Sequence, residues 1–439
     1  MRHGCVVVGA GPAGLVTAWR LKQLGIKATV LEAAPWVGGR TRSVSIDGAT
    51  LNTGAAFFAS FYSETLRLCR EVGVELVRPY IHPGRAGNLR QMATTDATLP
   101  YSPGTIRGFF GFPLVPLSAK IKFLALLARL TIGPQSHIAD PESLVALDEG
   151  DASTWARRVV GDDAYNYFVR PAIEPFFYMG AEEVSTAVAK ALLRHAVSWS
   201  LWTPRQGMGS FCATLSELVD CRVNCPVDRI ESAGSGLRLH YGSENIDADA
   251  VVLALPAPSI ARFDAPLVGE DRRDLSAIRF ESNVALFLGY SSSLNLKSPS
   301  VMAGGAGRHR LVGITALSQA GVPGLIPSGK EVVVVLTMGR RGRELIGQSQ
   351  DEVVDELVKD AKALGVYLPK PDWSFVYARQ EATVIPEPGY FHRIVAFAAR
   401  RRSGIHYAGD WLTGSSTVEG AVRSGNKAAG YVLEDLKSR

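Results

Sequence analysis

The 439-residue sequence predicts an α/β fold whose first unit is a Rossmann-type dinucleotide-binding domain, and three observations predict it. Cys5 to Val8 form a short apolar run with three consecutive valines, which suits a parallel strand buried on both faces. Gly9-Ala10-Gly11-Pro12-Ala13-Gly14 follows at once, and LVTAWRLKQLG then reads as an apolar-periodic helix ending at Gly25. KATVLE is a second strand with an acid, Glu32, at its tip. Strand, glycine turn, helix and acid-tipped strand lie in register within one βαβ unit, which carries more weight than an isolated GxGxxG.

Each residue of the turn has a physical reason. Gly9 permits the tight turn, Gly11 lets the backbone approach a pyrophosphate, and Gly14 lets helix and strand pack closely. Pro12 and Ala13 start the helix, whose N-terminus presents free N–H groups and a partial positive charge to phosphates. Glu32 is placed to accept hydrogen bonds from ribose hydroxyls, and a phosphate on that ribose would be repelled, which disfavours NADP. The plain alternative is a structural glycine turn. After Glu32 and Ala33, Gly38-Gly39-Arg40 forms a second glycine pair followed by a fork-shaped cation. Arg40 can form paired charge-assisted bonds to the same pyrophosphate. SVSID–GATLN reads as a hairpin turning at Asp47-Gly48. Gly54-Ala55-Ala56-Phe57 supplies small residues against which a flat ring could lie.

Bulk properties narrow the classes. Hydrophobic content of 46% and charged content of 20% are ordinary for a globular protein. Net charge is +5 without basic blocks; the longest cluster, Arg400-Arg401-Arg402, is too short to argue nucleic acid and reads as a solvated face. Cys5, Cys69, Cys212, Cys221 and Cys225 lack paired metal-ligand spacing and read as thiols in a reducing compartment, so no metal site is expected. The first strand starts almost at the N-terminus, leaving no room for a signal peptide, and no apolar stretch reaches the ~20 residues that span a bilayer. A cytoplasmic protein is the expectation. The nearest apolar stretch, residues 106–133, is broken by Pro113, Pro116, Lys120, Lys122 and Arg129. It could pack as a core helix, line a hydrophobic entrance or lie on a membrane surface, so peripheral membrane contact stays open.

GAGPAGL…LEA…VGGRTRS…GAAFF resembles the FAD-dependent amine oxidase superfamily, which includes monoamine oxidases, protoporphyrinogen oxidases and phytoene desaturases. The resemblance implies FAD as the tightly held cofactor, a GR2-like FAD-binding domain and an interleaved α+β substrate domain. It implies residues 1–78, 205–278 and 395–439 for the first and 79–204 and 279–394 for the second. TPRQGMGSFCATLSELV resembles the family's return to the FAD domain, and Val227 would then contact adenine through its backbone. At the C-terminus, IHYAGDWLTGSSTVEGAV is similar to the motif that closes over FAD. It implies that Gly409 and Asp410 meet the pyrophosphate or ribityl chain and that the helix start from Val418 through Glu419, Gly420 and Ala421 faces the flavin. Such a helix end would stabilise negative charge on the reduced ring.

The intervening segments follow by pattern. Residues 61–77 read as an amphipathic helix and its exit, and helices are expected around 153–170 and 182–200. Ser185 is placed as an N-cap for TAVAKALLRHA. Trp155, Tyr165, Tyr167, Phe168, Phe176, Phe177, Tyr178, Trp199 and Trp202 make this region aromatic-rich, mostly as core, with some lining a pocket. FESNVALFLGYSS, KEVVVVLTMGR and WSFVYARQEATV read as strands. SQDEVVDELVKDAKALG reads as a helix with Glu352, Glu356, Lys359 and Asp360 on its exposed side.

Two departures from the family pattern bear on function. Many amine oxidases of the family carry a lysine where Ala285 stands, and monoamine oxidases frame the substrate with two tyrosines, one at the position of Thr417. The cysteine of covalent flavin attachment is also absent, so non-covalent FAD is expected. No catalytic side chain is assigned beyond the flavin; Thr417 and Trp411 are pocket candidates. The reading is an FAD-dependent oxidase or dehydrogenase acting by hydride transfer at a C–N or C–C bond of a bulky, largely apolar, ring-bearing small molecule, with oxygen or another electron acceptor. A non-redox flavin-dependent isomerase or mutase, and a primary or secondary amine oxidase, are the alternatives.

Overall fold

The computed structural model describes residues 3–80, 90–94, 98–196, 200–294, 296, 298–305, 309–400 and 402–438. The strand His3–Val8 lies between Ala28–Leu31 and Glu244–Leu253, parallel to both. Asp220–Arg222 extends the sheet beside Ala28–Leu31, and Ile405–Tyr407 pairs with the end of Glu244–Leu253. Gly236–Tyr241 and Val227–Ala233 continue it antiparallel. The uninterrupted apolar run at Cys5–Val8 now has its reason: Val6 and Val8 enter one core cluster while Cys5 and Val7 enter another on the opposite face. Both faces are buried, so no alternation is needed.

Helix Pro12–Gln23 packs along the C-terminal helix Val418–Ser438. Gly425 makes this close approach possible, because a Cβ there would sit 2.6 Å from the Ala13 carbonyl oxygen. Thr17 Oγ1 donates to the Ala13 carbonyl and to that of Gly425. The first and last segments of the chain are thereby joined beside the glycine turn. The hairpin Ser43–Ile46/Ala49–Asn52 turns as expected at Asp47 and Gly48, both with positive φ.

A second sheet runs in the order Trp373–Val384, Phe280–Tyr290, Glu331–Thr337, Leu311–Ala316, Ser300–Ala303, Arg90–Ala93 and Thr98–Pro100. Helix Gln350–Ala363 starts with a capping box between Ser349 and Glu352. Asp360 does not lie on the exposed side of this helix. It is buried and holds Arg341 at 2.7 Å and Arg310 at 3.1 Å, because Arg341 is itself buried and needs carboxylates.

The helices expected at 153–170 and 182–200 differ in extent. The first breaks at Gly161, whose φ is +84°, and resumes through a wide turn at 165–169 into Arg170–Phe177. The second spans Thr186–Leu193, with the Ser185 hydroxyl accepting from the Ala187 N–H as its cap. Trp155, Tyr165, Phe168 and Phe177 are core. Phe176 and Trp202 are half-buried, and Trp199 lies outside the described residues. The arginine cluster is no solvated face: Arg400 and Arg402 both hold the buried Asp271, and Arg401 lies outside the described residues. The apolar stretch forms two helices, Ile106–Gly111 and Leu117–Ile132. Among the described residues, no helix is long and apolar enough to cross a membrane.

Candidate cofactor and substrate site

The glycine turn is built as its residue types require. Gly9 has φ +105°, and a Cβ on Gly14 would overlap the Gly9 carbonyl oxygen. Gly11 is different: a Cβ there would meet nothing within 4 Å. No side chain caps the helix that begins at Pro12. The turn thus presents an open cradle in front of uncapped N–H groups, which is what an incoming pyrophosphate requires.

Glu32 organises the rim. Its carboxylate accepts from the Ala10 N–H at 2.8 Å and the Ala34 N–H at 2.9 Å. A carboxylate has about four acceptor directions, so two remain for ribose hydroxyls. Its backbone bonds Arg222 and Cys225, and Asn224 N–H donates to the Ala34 carbonyl. These bonds bring Val227 to the same end of the sheet, where it opens the strand Val227–Ala233. Ala33 is exposed beside them.

The second glycine pair lies against the first. Gly38 N–H donates to the Ala10 carbonyl at 2.9 Å, and a Cβ on Gly39 would approach the Gly11 Cα at 3.5 Å. Arg40 follows, with one Nη donating to the Ala382 carbonyl at 3.0 Å and the other to Asp410 at 2.6 Å. Two residues assigned separately to the cofactor are therefore partners of each other. Arg40 offsets the Asp410 charge, and both of its Nη groups are engaged within the protein. Gly54 is small for a different reason from a flat ring: a Cβ on it would overlap the Arg40 carbonyl oxygen. Ala55 N–H donates to that same oxygen at 3.0 Å. Ala56 is exposed, and Phe57 meets Phe176 edge to face with centroids 6.3 Å apart.

Of the two pocket candidates at the C-terminus, Trp411 is placed in the core and Thr417, half-buried, at the start of the last helix. Trp411 is fully buried, donates to the Leu255 carbonyl and stacks edge-on to Phe397 and Tyr407. An indole buried with its N–H satisfied is core. Thr417 Oγ1 accepts from the Gly420 N–H and meets Ser415 Oγ, so it caps the last helix. Gly409 N–H donates to Ser424 Oγ. Val418 and Ala421 are buried at the helix start.

The sequence reading missed the work of Glu419. This fully buried carboxylate accepts from the Glu64 and Thr65 N–H groups, the Thr65 hydroxyl and Arg423. Helix Ser63–Val72 has no cap of its own, so the C-terminal helix supplies one. No local pattern links positions 355 residues apart. Ala382, Thr383 and Ser416 were missed for the same reason. Thr383 donates to the Phe177 carbonyl and Ser416 accepts from the Val384 N–H, fixing the strand end beside Arg40. Ala285 is buried in an apolar cluster with Ala49, Leu51 and Phe287.

A glycine turn, an acid-tipped strand and a segment from the far C-terminus meet at one end of the first sheet, the arrangement of a Rossmann-type fold. The model of the family described as flavin-containing amine oxidoreductase matches residues 12–433, and the chain belongs to that family. Putrescine oxidase of Kocuria rosea is 47% identical over 75 residues, 17% of this chain and 16% of that one. The L-amino-acid oxidase of Mus musculus is 26% identical over 65% of this chain and 47% of its own length. The match thus spans less than half of either relative. Coproporphyrinogen III oxidase of Bacillus subtilis is 23% identical over 94% and 93% of the two chains. Among solved structures, a redesigned putrescine oxidase superposes with a TM-score of 0.76 at 18% identity over 99% of each chain. A putative protoporphyrinogen oxidase from Exiguobacterium gives 0.75 at 18% over 100% and 99%. These likenesses establish the fold.

Proposed function

We propose that the chain dehydrogenates a bulky, largely apolar, ring-bearing small molecule at a C–N or C–C bond, with FAD held non-covalently. The observation that carries this reading is the aromatic wall where the substrate-side helix Arg170–Phe177 meets the cofactor-side segment. Phe176 lies against Phe57, and Phe177 is fully buried beside it. Arg40 and Asp410, both expected at the cofactor, form an ion pair with each other.

Gly11, Glu32, Gly39 and the N-terminus of helix Pro12–Gln23 would hold the dinucleotide. When bound, the flavin supplies the hydride acceptor. The chain's own contribution is position and exclusion of water: aromatic faces orient a flat ring and keep the site dry. Ala285 places a methyl group, in an apolar cluster, at the position that the family resemblance assigns to a lysine. That supports a substrate other than a simple amine. The full-length likeness to an oxidase named for coproporphyrinogen III, itself a ring-bearing molecule, supports the same reading. The likeness to putrescine oxidase covers 17% of the chain.

The test is a visible absorption spectrum of the purified protein and of the supernatant after denaturation. Anaerobic titration with porphyrinogens, polycyclic intermediates and amines follows. Flavin bands released into the supernatant, and bleached by a ring-bearing compound, are the expected result. Bleaching by small aliphatic amines alone would overturn the substrate class. Turnover without bleaching, giving product at the oxidation level of substrate, would overturn the reaction.

A further inference from the structure

We propose that the helix pair Ile106–Gly111 and Leu117–Ile132 is a platform that docks on the surface of an anionic lipid bilayer. The longer helix carries three distinct stripes. Ala119, Phe123, Leu126 and Leu127 are buried against the protein. On the opposite face Leu117, Ile121, Leu124 and Ile132 are exposed by 61, 57, 40 and 86%. Their spacing of three or four residues, continued by exposed Ala128, puts them on one line of the helix. Lys122 and Arg129, seven residues apart, form the third stripe at the edge between the two.

The shorter helix adds exposed apolar residues of its own. Ile106 is 82% exposed and Phe110 48%, with Arg107 beside them. Lys120 locks the two helices together: its buried ammonium donates to the Phe110 carbonyl at 2.7 Å and the Phe112 carbonyl at 2.8 Å. Six of the thirteen exposed large hydrophobic residues among those described fall on this pair. Apolar residues clustered in one patch mark an interaction surface, whereas scattered ones do not.

Charge selects the occupant. No Asp or Glu occurs between Asp96 and Asp140, while Arg107, Lys122 and Arg129 stand exposed beside the apolar stripe. An apolar face with a cationic edge matches acyl chains below anionic headgroups. A second copy of the chain is a poorer occupant. Self-pairing would bring three cations of each copy together with no carboxylate on the platform to offset them. At 16 residues, with its other face packed on the protein, the longer helix lies along a surface and does not cross it.

The test uses the full-length protein in flotation with phosphatidylcholine vesicles, with and without phosphatidylglycerol, at low and high salt. The expected result is flotation with the mixed vesicles, weakened by salt, and roughly tenfold less partitioning for Ile121→Ser/Leu124→Ser. Lys122→Glu/Arg129→Glu should abolish the preference for anionic vesicles. Unchanged circular dichroism and melting temperature confirm that the variants fold, and Ile106→Ser/Ile132→Ser repeats the test should the first pair misfold. A protein that stays in the bottom fraction with both vesicle types would overturn the proposal. So would variants that float like wild type. A dimer in solution that the serine variants dissociate would assign the face to a second copy instead.

Discussion

Replacing Glu32 by glutamine perturbs the cofactor rim at one atom, and the structure sets the size of the effect. The carboxylate serves Ala10 and Ala34 with one oxygen each, leaving about two acceptor directions for a ribose. In Glu32→Gln one oxygen becomes an NH2 group. Whichever way the amide turns, it faces one backbone N–H donor to donor, and the negative charge is gone. A hydrogen bond to a charged group contributes ~1.5–3 kcal/mol, so losing one ribose acceptor weakens FAD binding about 10- to 150-fold. The turn itself loses one satisfied N–H, at a cost of ~1–3 kcal/mol in stability. The structure thus joins two effects that the ribose assignment alone would separate, and both should appear together. The assay is fluorescence titration of apo-protein with FAD, alongside the apo-protein's melting temperature. FAD affinity within about threefold of wild type, with an unchanged melting temperature, would refute the reasoning.

Three further outcomes are expected. Gly11→Ala should leave the apo-protein's melting temperature unchanged, because its Cβ meets nothing, while lowering FAD affinity by at least about tenfold; Gly14→Ala should destabilise the fold itself by ~3 kcal/mol through overlap with the Gly9 carbonyl. If thermal scans and FAD titrations rank the two alike, the cradle is misplaced. Glu419→Gln turns an NH2 group toward buried donors and should cost ~3 kcal/mol; for a chain of this length that lowers the melting temperature by about 3 °C, against no change for exposed Glu217→Gln. The third concerns pH. His195 is stacked on Phe61 at 4.3 Å, and burial, followed by the neighbouring charges of His137 and Arg194, pushes its imidazole down to about 4. Its folded value lies below its unfolded one, so its contribution to stability is complete above pH 6.5 and is lost as pH falls through about 4. His195→Phe keeps the stack and removes the proton site, so the difference in melting temperature between variant and wild type should grow in the variant's favour on acidification from pH 6.5. A pH-independent difference would contradict the assignment.

The βαβ unit was legible because its determinants are local. Three valines, a glycine turn and an acid at fixed spacing specify strand, turn and helix through backbone sterics and burial alone, and Gly9, Gly14, the Asp47-Gly48 turn and the Ser185 cap all stand as those rules require. Misreadings concentrated where a residue type has two uses. Trp411 suits a pocket wall and also a core, and Asp360 suits an exposed helix face until a buried arginine claims it.

By itself, then, the sequence determined the fold class and the strand, glycine turn and helix of the first βαβ unit, because those depend on neighbours within a few positions. Only the tertiary structure decided that Arg40 and Asp410 are partners, that Glu419 caps a helix 355 residues earlier in the chain, and that one line of the helix Leu117–Ile132 is left bare. The physical reason is common to all three. A charge or an apolar side chain carries no record in sequence of what will stand opposite it; long-range packing chooses the partner, or leaves none.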